Sequence, residues 1–213
     1  MSYAVDVLII ISLFTIYGYI HSILASNKVK KLFKKTLGNL IAVYRLLFNI
    51  FALASLYFIY ELFPKPQLII YDLPNPYDII VLIIQLTSLA GFIWTFRYIC
   101  FKEFIGLNQL NDFLNKNYNN ELDERLTLRI EGPYRFMRHP LYFFSIIFLL
   151  FRPTMDLFYL TFFACIVAYF YIGSYFEEKK LMENFGSQYS DYKKLVPKIF
   201  PYKLIKPYKQ EFN

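Results

Sequence analysis

The sequence predicts an all-α polytopic membrane protein of about five transmembrane helices, the last two a helical hairpin, with a cytoplasmic C-terminal segment. Three observations predict it. Of 213 residues, 57% are apolar and 21% aromatic, against an apolar share of roughly 45–50% in ordinary soluble chains. The apolar residues gather in runs near the ~20 needed to cross ~30 Å of hydrocarbon. The Lys and Arg residues lie mostly between those runs and on one side of them. Disorder and a disulfide-stapled scaffold are excluded by the apolar content and by only two cysteines.

The first apolar run, Ala4 to Leu24, is followed by Lys28, Lys30, Lys31, Lys34 and Lys35. A cleaved signal peptide would carry its positive charge before the apolar stretch, and only Asp6 stands near the start, so a retained helix is expected. A second span runs from about Leu37 to Phe63 and a third from about Tyr77 to Cys100. Between them lies a turn rich in proline, with Pro64, Pro66, Pro74 and Pro76. The last block, Leu141 to Phe176, is too long for one helix and is broken by Arg152, Pro153 and Asp156, which predicts the hairpin. Residues 1–101 read as a three-helix scaffold and 102–213 as a second domain of connector, hairpin and C-terminal segment.

Orientation follows from charge. With the loop after the first span on the cytoplasmic side, that side holds 19 of the 23 Lys and Arg residues, a strong positive-inside bias. The amino terminus is then expected outside and the carboxy terminus inside. The net charge of +7 reads as a topology signal, and no nucleic-acid partner is expected. Cys100 and Cys165 have no partner at metal-ligand spacing, so neither a metal site nor a redox function is expected. Of the hydrophilic stretches, 101–140 holds an Asn-rich turn (Asn115, Asn117, Asn119, Asn120) and then Arg125 to Ile130, whose alternation suggests a short strand.

Two polar constellations could carry chemistry. Gly132 to Tyr142 includes Tyr134, Arg135, Arg138, His139, Pro140 and Tyr142 at the mouth of the fourth span. Pro140 suits the first turn of a helix, which needs no amide donor there. The group reads either as a basic cap on lipid headgroups or as part of a ligand site. Glu177 and Glu178, at the cytoplasmic end of the fifth span, oppose the charge bias of that face. They imply a cationic partner, for which Lys179 and Lys180 are candidates, or a solvated mixed-charge turn. At 1.5 Å per residue the two arms of the hairpin return to about the same depth, so His139 and Tyr142 can face the Glu pair. Carboxylates, an aromatic face and basic residues together suit a zwitterionic ligand with an onium centre.

The string Gly132-Pro133-Tyr134, Arg138-His139-Pro140-Leu141-Tyr142, Glu177-Glu178, Leu181, Phe185-Gly186, Tyr189, Tyr192 and Val196-Pro197 resembles the carboxy-terminal core of the integral-membrane methyltransferases. That superfamily includes isoprenylcysteine carboxyl, phospholipid and methanethiol methyltransferases and the NnrU-like proteins. His21 to Ser26, Tyr44-Arg45-Leu46 with Asn49, Phe104 to Gln109 and Arg152 to Met155 resemble segments of the NnrU-like and methanethiol branches. The resemblance implies S-adenosylmethionine as cofactor, bound by Tyr134, Arg135, His139, Pro140, Tyr142, Glu177, Glu178 and Tyr189. It also implies Phe185 to Pro197 as a lid. His139 and Arg45 are the expected catalytic residues, acting on a small thiol. Arg97 and His21 are further candidates for handling the acceptor proton, with snorkelling and interfacial packing as their plain alternatives. A phospholipid or isoprenylcysteine acceptor, or a non-catalytic NnrU-like accessory role, stays open. The isoprenylcysteine enzymes carry an Arg shortly before the Glu pair. Ser174, Tyr175 and Phe176 offer none, which argues against a prenylcysteine carboxylate.

Overall fold

The computed structural model describes residues 2–119, 122 and 126–202. Eight α-helices follow in order: α1 (Tyr3–Ala25), α2 (Asn27–Leu37), α3 (Ile41–Leu62), α4 (Tyr77–Phe96), α5 (Phe101–Ile105), α6 (Leu107–Leu114), α7 (Pro140–Leu150) and α8 (Leu157–Leu195). Two strands, β1 (Ile69–Asp72) and β2 (Thr154–Asp156), and two 3-10 turns accompany them among the described residues. The chain forms two compact units: Met1–Pro66 with Cys100–Arg125, and Gln67–Ile99 with Leu126–Asn213.

Among the described residues, four helical segments are long and apolar enough to cross a membrane: Tyr3–Ala25, Asn27–Leu62, Tyr77–Phe96 and Leu157–Leu195. Their outward residues are large and apolar, with Leu53, Tyr57 and Phe58 of α3 at 71%, 68% and 64% exposure. These helices are consistent with an integral membrane protein whose apolar side chains face lipid. α7, expected as the fourth of five spans, is apolar but shorter than these four. α7 has only 11 residues, a rise of about 16 Å, half the hydrocarbon thickness. At its end, Phe151 and Arg152 leave helical conformation before Pro153, where a continuing helix would lose its amide donor.

In the first unit, α2 replaces the loop expected for the lysine cluster. Ser26 starts it, its side chain accepting from the Val29 amide, and the 3-10 turn Gly38–Leu40 separates it from α3. The short helices α5 and α6 meet at Gly106, whose φ is +96°. A Cβ there would come within 2.7 Å of the Leu46 backbone nitrogen. This close approach explains the glycine within Phe104 to Gln109. Gln109, 2% exposed, donates to the Glu103 carbonyl at 3.1 Å and locks the α5–α6 turn. Past α6, the Asn117 amide returns to the Asp112 carbonyl at 2.8 Å, forming part of the expected Asn-rich turn. Asn120, Arg125, Lys203, Lys206 and Lys209 lie outside the described residues.

In the second unit the hairpin is present, and its apex is tied down. β1, inside the proline-rich turn, pairs antiparallel with β2, matching Ile69 with Asp156, Tyr71 with Met155 and Asp72 with Thr154. Thr154 Oγ1 donates to Asp72 Oδ1 at 2.6 Å, and the amides of Leu73 and Leu157 extend the connection to Pro153 and Leu68 carbonyls. Asp156 then caps α8 by accepting from the Tyr159 amide at 2.8 Å. The all-α expectation is therefore corrected by one two-stranded ladder. Of the strand expected over 125–130, Arg125 lies outside the described residues and 126–130 form no strand among them. Leu128 and Ile130 instead pack on Tyr189, Tyr192 and Val196. α7 lies against α4, where Ser88 and Gln85 donate to the Phe144 and Phe148 carbonyls at 2.6 and 2.9 Å.

Gly106→Ala tests the close approach of α5–α6 to α3. The strained φ and the backbone clash should cost about 1–3 kcal/mol, read as a lower apparent melting temperature of the detergent-purified protein. An unchanged melting temperature would show that the backbone there relaxes freely.

Candidate functional site

The second unit gathers most of the sequence-predicted residues into one cluster. The 3-10 turn Gly132–Arg135 starts on buried Pro133 and is held by Tyr192, whose hydroxyl donates to the Tyr134 carbonyl at 2.7 Å. Arg138 and His139 follow the turn, and their amides reach the chain just past α8. The Arg138 amide donates to the Pro197 carbonyl at 2.9 Å and the His139 amide to that of Lys198 at 3.0 Å. Pro140, fully buried, then opens α7 at its first position.

The opposite wall is α8. Of its 39 residues, those from Leu157 to Phe176 rise about 30 Å, enough to cross the hydrocarbon, and Glu177 onward extends beyond. Gly186, with φ +49° and ψ −122°, breaks the helix. That left-handed φ is cheap only for glycine. Beyond it, Tyr189, Tyr192 and Val196 close over the site, Tyr189 being wholly buried.

At the centre is Glu178, 5% exposed. Its Oε1 accepts from Arg138 Nη2 at 2.8 Å and Nε at 2.9 Å, and His139 Nε2 lies 3.2 Å from the same oxygen. Lys193 Nζ meets Oε2 at 3.1 Å. Arg138 also uses Nη1 on the Lys193 carbonyl at 3.0 Å and on the Val196 carbonyl. One guanidinium therefore joins the start of α7, the carboxylate of α8 and the chain after the Gly186 kink.

Glu177 stands beside it with a half-exposed side chain. It accepts from the Tyr142 hydroxyl at 3.2 Å and lies 3.3 Å from His139 Nδ1. The expected facing of His139 and Tyr142 with the Glu pair is present. The rings of His139, Tyr142 and Phe170 form a stacked column, with centroids 5.2 and 4.6 Å apart.

Charge follows from this geometry. A carboxylate can only accept, so His139 satisfies both glutamates best with a proton on each nitrogen. Burial favours the neutral ring, but the hydrogen bonds and charges of Glu177 and Glu178 outweigh it and raise the His139 pKa. Burial likewise favours a neutral Glu178, and His139, Arg138 and Lys193 reverse that, bringing its pKa down to about 2. Burial pushes the Tyr134 phenol up to about 12, with Arg129 opposing and Glu177 adding to the shift. The Tyr189 hydroxyl is buried beside Arg138, and burial raises its pKa, with Glu178 adding to the shift and Arg138 opposing it. Arg135 sits half-buried at the end of the 3-10 turn.

Arg138 and Lys193 emerge as the chief partners of Glu178, in roles the sequence reading did not assign. The signal available for Arg138 was the need of two acidic residues for a cation; nothing local distinguished Lys193 from other lysines.

Arg45 belongs to the other unit. Its Nε donates to the Phe104 carbonyl at 2.9 Å, and Asn49 donates to the same oxygen at 3.1 Å. The shared face expected for this pair is present, and the guanidinium also lies 5.9 Å from the Phe104 ring. His21 packs between the rings of Phe48 and Tyr17, at 4.8 and 5.7 Å. Arg97 is the C-cap residue of α4.

Among known proteins, the chain is 27% identical over 207 residues to methanethiol S-methyltransferase 1 of Bradyrhizobium diazoefficiens, covering 95% of this chain and 69% of that one. No family model matches the chain. No solved structure matches it. The similarity, with the membrane helices, supports a methyltransferase-like membrane protein.

Breaking a buried ion pair from one side costs about 3–5 kcal/mol, so Arg138→Gln should lower the melting temperature sharply. The pH dependence has a definite sign. Glu178, depressed when folded, stabilises fully above its unfolded pKa and loses that contribution as pH falls toward about 2. His139, raised when folded, stabilises below its unfolded pKa and loses that contribution as pH rises through the folded value. Melting curves of the wild type should therefore decline between pH 5 and 2 more steeply than those of Glu178→Gln. Equal slopes would show that Glu178 does not carry the acid limb.

Proposed function

We propose that this chain is an integral-membrane S-adenosylmethionine-dependent methyltransferase acting on a small thiol, with its cofactor site on the cytoplasmic side. The observation that carries the reading is the pairing of a half-exposed Glu177 with the stacked His139 and Tyr142 rings. The similarity to a methanethiol S-methyltransferase supports the thiol as acceptor.

The residues fit the cofactor. Glu178 is nearly closed off, with three donor atoms within reach of Oε1 and Lys193 on Oε2. Glu177 is the carboxylate presented outward, so it would take the ammonium of the methionine part. Both faces of the Tyr142 ring are covered, by His139 and by Phe170, so Tyr142 would act through the hydroxyl that orients Glu177 toward the ammonium. Tyr189, buried beside Arg138 and Glu178, would wall the site from the chain after Gly186. Tyr134 and Arg135 would border the approach, and the chain from Phe185 to Pro197 would cover the adenosine.

S-adenosylmethionine supplies a methyl group already activated on a positive sulfur. The acceptor thiol must lose its proton to water, after which a carbon–sulfur bond forms as the sulfonium bond breaks, giving a thioether and S-adenosylhomocysteine. Charge is neutralised in that displacement, so the protein's share is alignment and exclusion of water. His139, held as a cation between two carboxylates, would orient them rather than accept the thiol proton. Arg45, in the first unit, holds the Phe104 carbonyl together with Asn49.

Glu177→Gln should weaken S-adenosylhomocysteine binding by about tenfold or more in calorimetry, the worth of a charge-assisted contact, with a smaller loss of melting temperature than Arg138→Gln. No heat from the wild type with either S-adenosylmethionine or S-adenosylhomocysteine would overturn the cofactor assignment. Incubation with labelled cofactor and a panel of thiols and phospholipids should label methanethiol or a similar small thiol. Label confined to phospholipid would replace the thiol by a lipid acceptor.

A further inference from the structure

The helix α2 has a pattern that neither the site nor the spans use. Val29, Leu32, Phe33 and Leu37 fall at helical spacing on one side, and Lys28, Lys30, Lys31, Lys34 and Lys35 fill the rest, with no acidic residue between Asn27 and Leu37. The lysines divide by position. Lys30 is buried, and Lys34 lies 3.4 Å from Asn39 Oδ1 and 5.8 Å from the Tyr118 ring, so these two turn into the unit. Lys28, Lys31 and Lys35 are exposed. Leu32, which adjoins Lys28 and Lys35 on the helix surface, is 63% exposed, and Leu37 is 44% exposed.

Connectivity places this face. α1 ends one residue before α2, and α3 begins after a three-residue turn. Eleven residues rise about 16 Å, too little to cross ~30 Å of hydrocarbon. The ends of α1 and α3 that meet α2 therefore share one face of the membrane, and α2 is held there at both ends. A helix so tethered, with leucine beside lysine on its outward side, matches the boundary between acyl chains and headgroups. Exposed lysines without an acidic neighbour on the helix complement lipid phosphate of net negative charge.

We propose that α2 lies in the headgroup plane and binds anionic phospholipid, with Leu32 in the acyl boundary and Lys28, Lys31 and Lys35 on lipid phosphates. The proposal is independent of the reaction the protein performs.

The test uses the full chain reconstituted in phosphatidylcholine vesicles with trace spin-labelled phosphatidylglycerol or spin-labelled phosphatidylcholine. The fraction of motionally restricted label gives the relative affinity. The wild type should prefer phosphatidylglycerol several-fold at low salt, and the triple variant Lys28→Gln, Lys31→Gln, Lys35→Gln should lose most of that preference. A preference retained in full would overturn the lysine assignment. Depth is read separately on Leu32→Cys, made with Cys100→Ser and Cys165→Ser to remove the native thiols, and carrying an environment-sensitive fluorophore. Quenching by doxyl-labelled lipid with protection from aqueous iodide is expected. Ready iodide quenching without lipid quenching would overturn the in-plane placement.

Discussion

The contact between the Arg138 guanidinium and the Glu178 carboxylate is the one on which the site depends. The two residues are 40 apart in sequence, and both side chains are less than a tenth exposed. A carboxylate in such a setting is tolerated only when its charge is met and its lone pairs are filled. Arg138 does both, and its remaining nitrogen reaches the carbonyls of Lys193 and Val196. Its planar, forked donors can serve three separate elements at once, which a lysine ammonium on a flexible stem does not reproduce. His139 is then fixed by sharing the same carboxylate oxygen, and its ring sets the orientation of the stack through Tyr142 to Phe170.

The Gly186 kink is the backbone's contribution to that arrangement. A straight α8 would carry Lys193 and Val196 away from Glu178, leaving the carboxylate open to water on one side. The reversal lets Tyr189, Tyr192 and Val196 pack with Leu128 and Ile130, so a small aromatic core is built outside the span. The first unit solves a different problem. There, Arg45 and Asn49 share the Phe104 carbonyl, and Gly106 lets the α5–α6 turn approach the α3 backbone closely. Polar side chains on an apolar helix thus find backbone partners, as a low-dielectric surrounding demands.

Much of this could be read from residue order. Long apolar runs revealed α1, α3, α4 and α8 because lipid imposes a length and a polarity together. The breakers Arg152, Pro153 and Asp156 revealed the hairpin, and its return distance put His139 and Tyr142 opposite the Glu pair. What stayed hidden has physical causes. The β1–β2 ladder has seven residues in total, too few for alternation to register, and its pairing spans more than eighty positions. α2 reads as a polar loop when hydropathy is averaged around its circumference, although its apolar residues share one side. Hydropathy also cannot show that α7 ends at Leu150, since Leu141 to Phe151 is apolar but for Ser145 and the Tyr142 hydroxyl. An arginine beside a membrane looks the same whether it meets a headgroup or, as Arg138 does, a carboxylate brought in from another helix.

The reversal at Gly186 also has a consequence for biogenesis. Arg138 and His139 are synthesised before α8, so Glu178 can find them as soon as the final span is threaded into lipid. Lys193 and the Val196 carbonyl follow only later, when the chain has passed the kink and folded back. Assembly of the carboxylate's surroundings is therefore ordered by translation itself: a protein can be fully inserted in the membrane while the chamber around Glu178 is still unfinished. Insertion and maturation of the site are two separate events in the life of this chain.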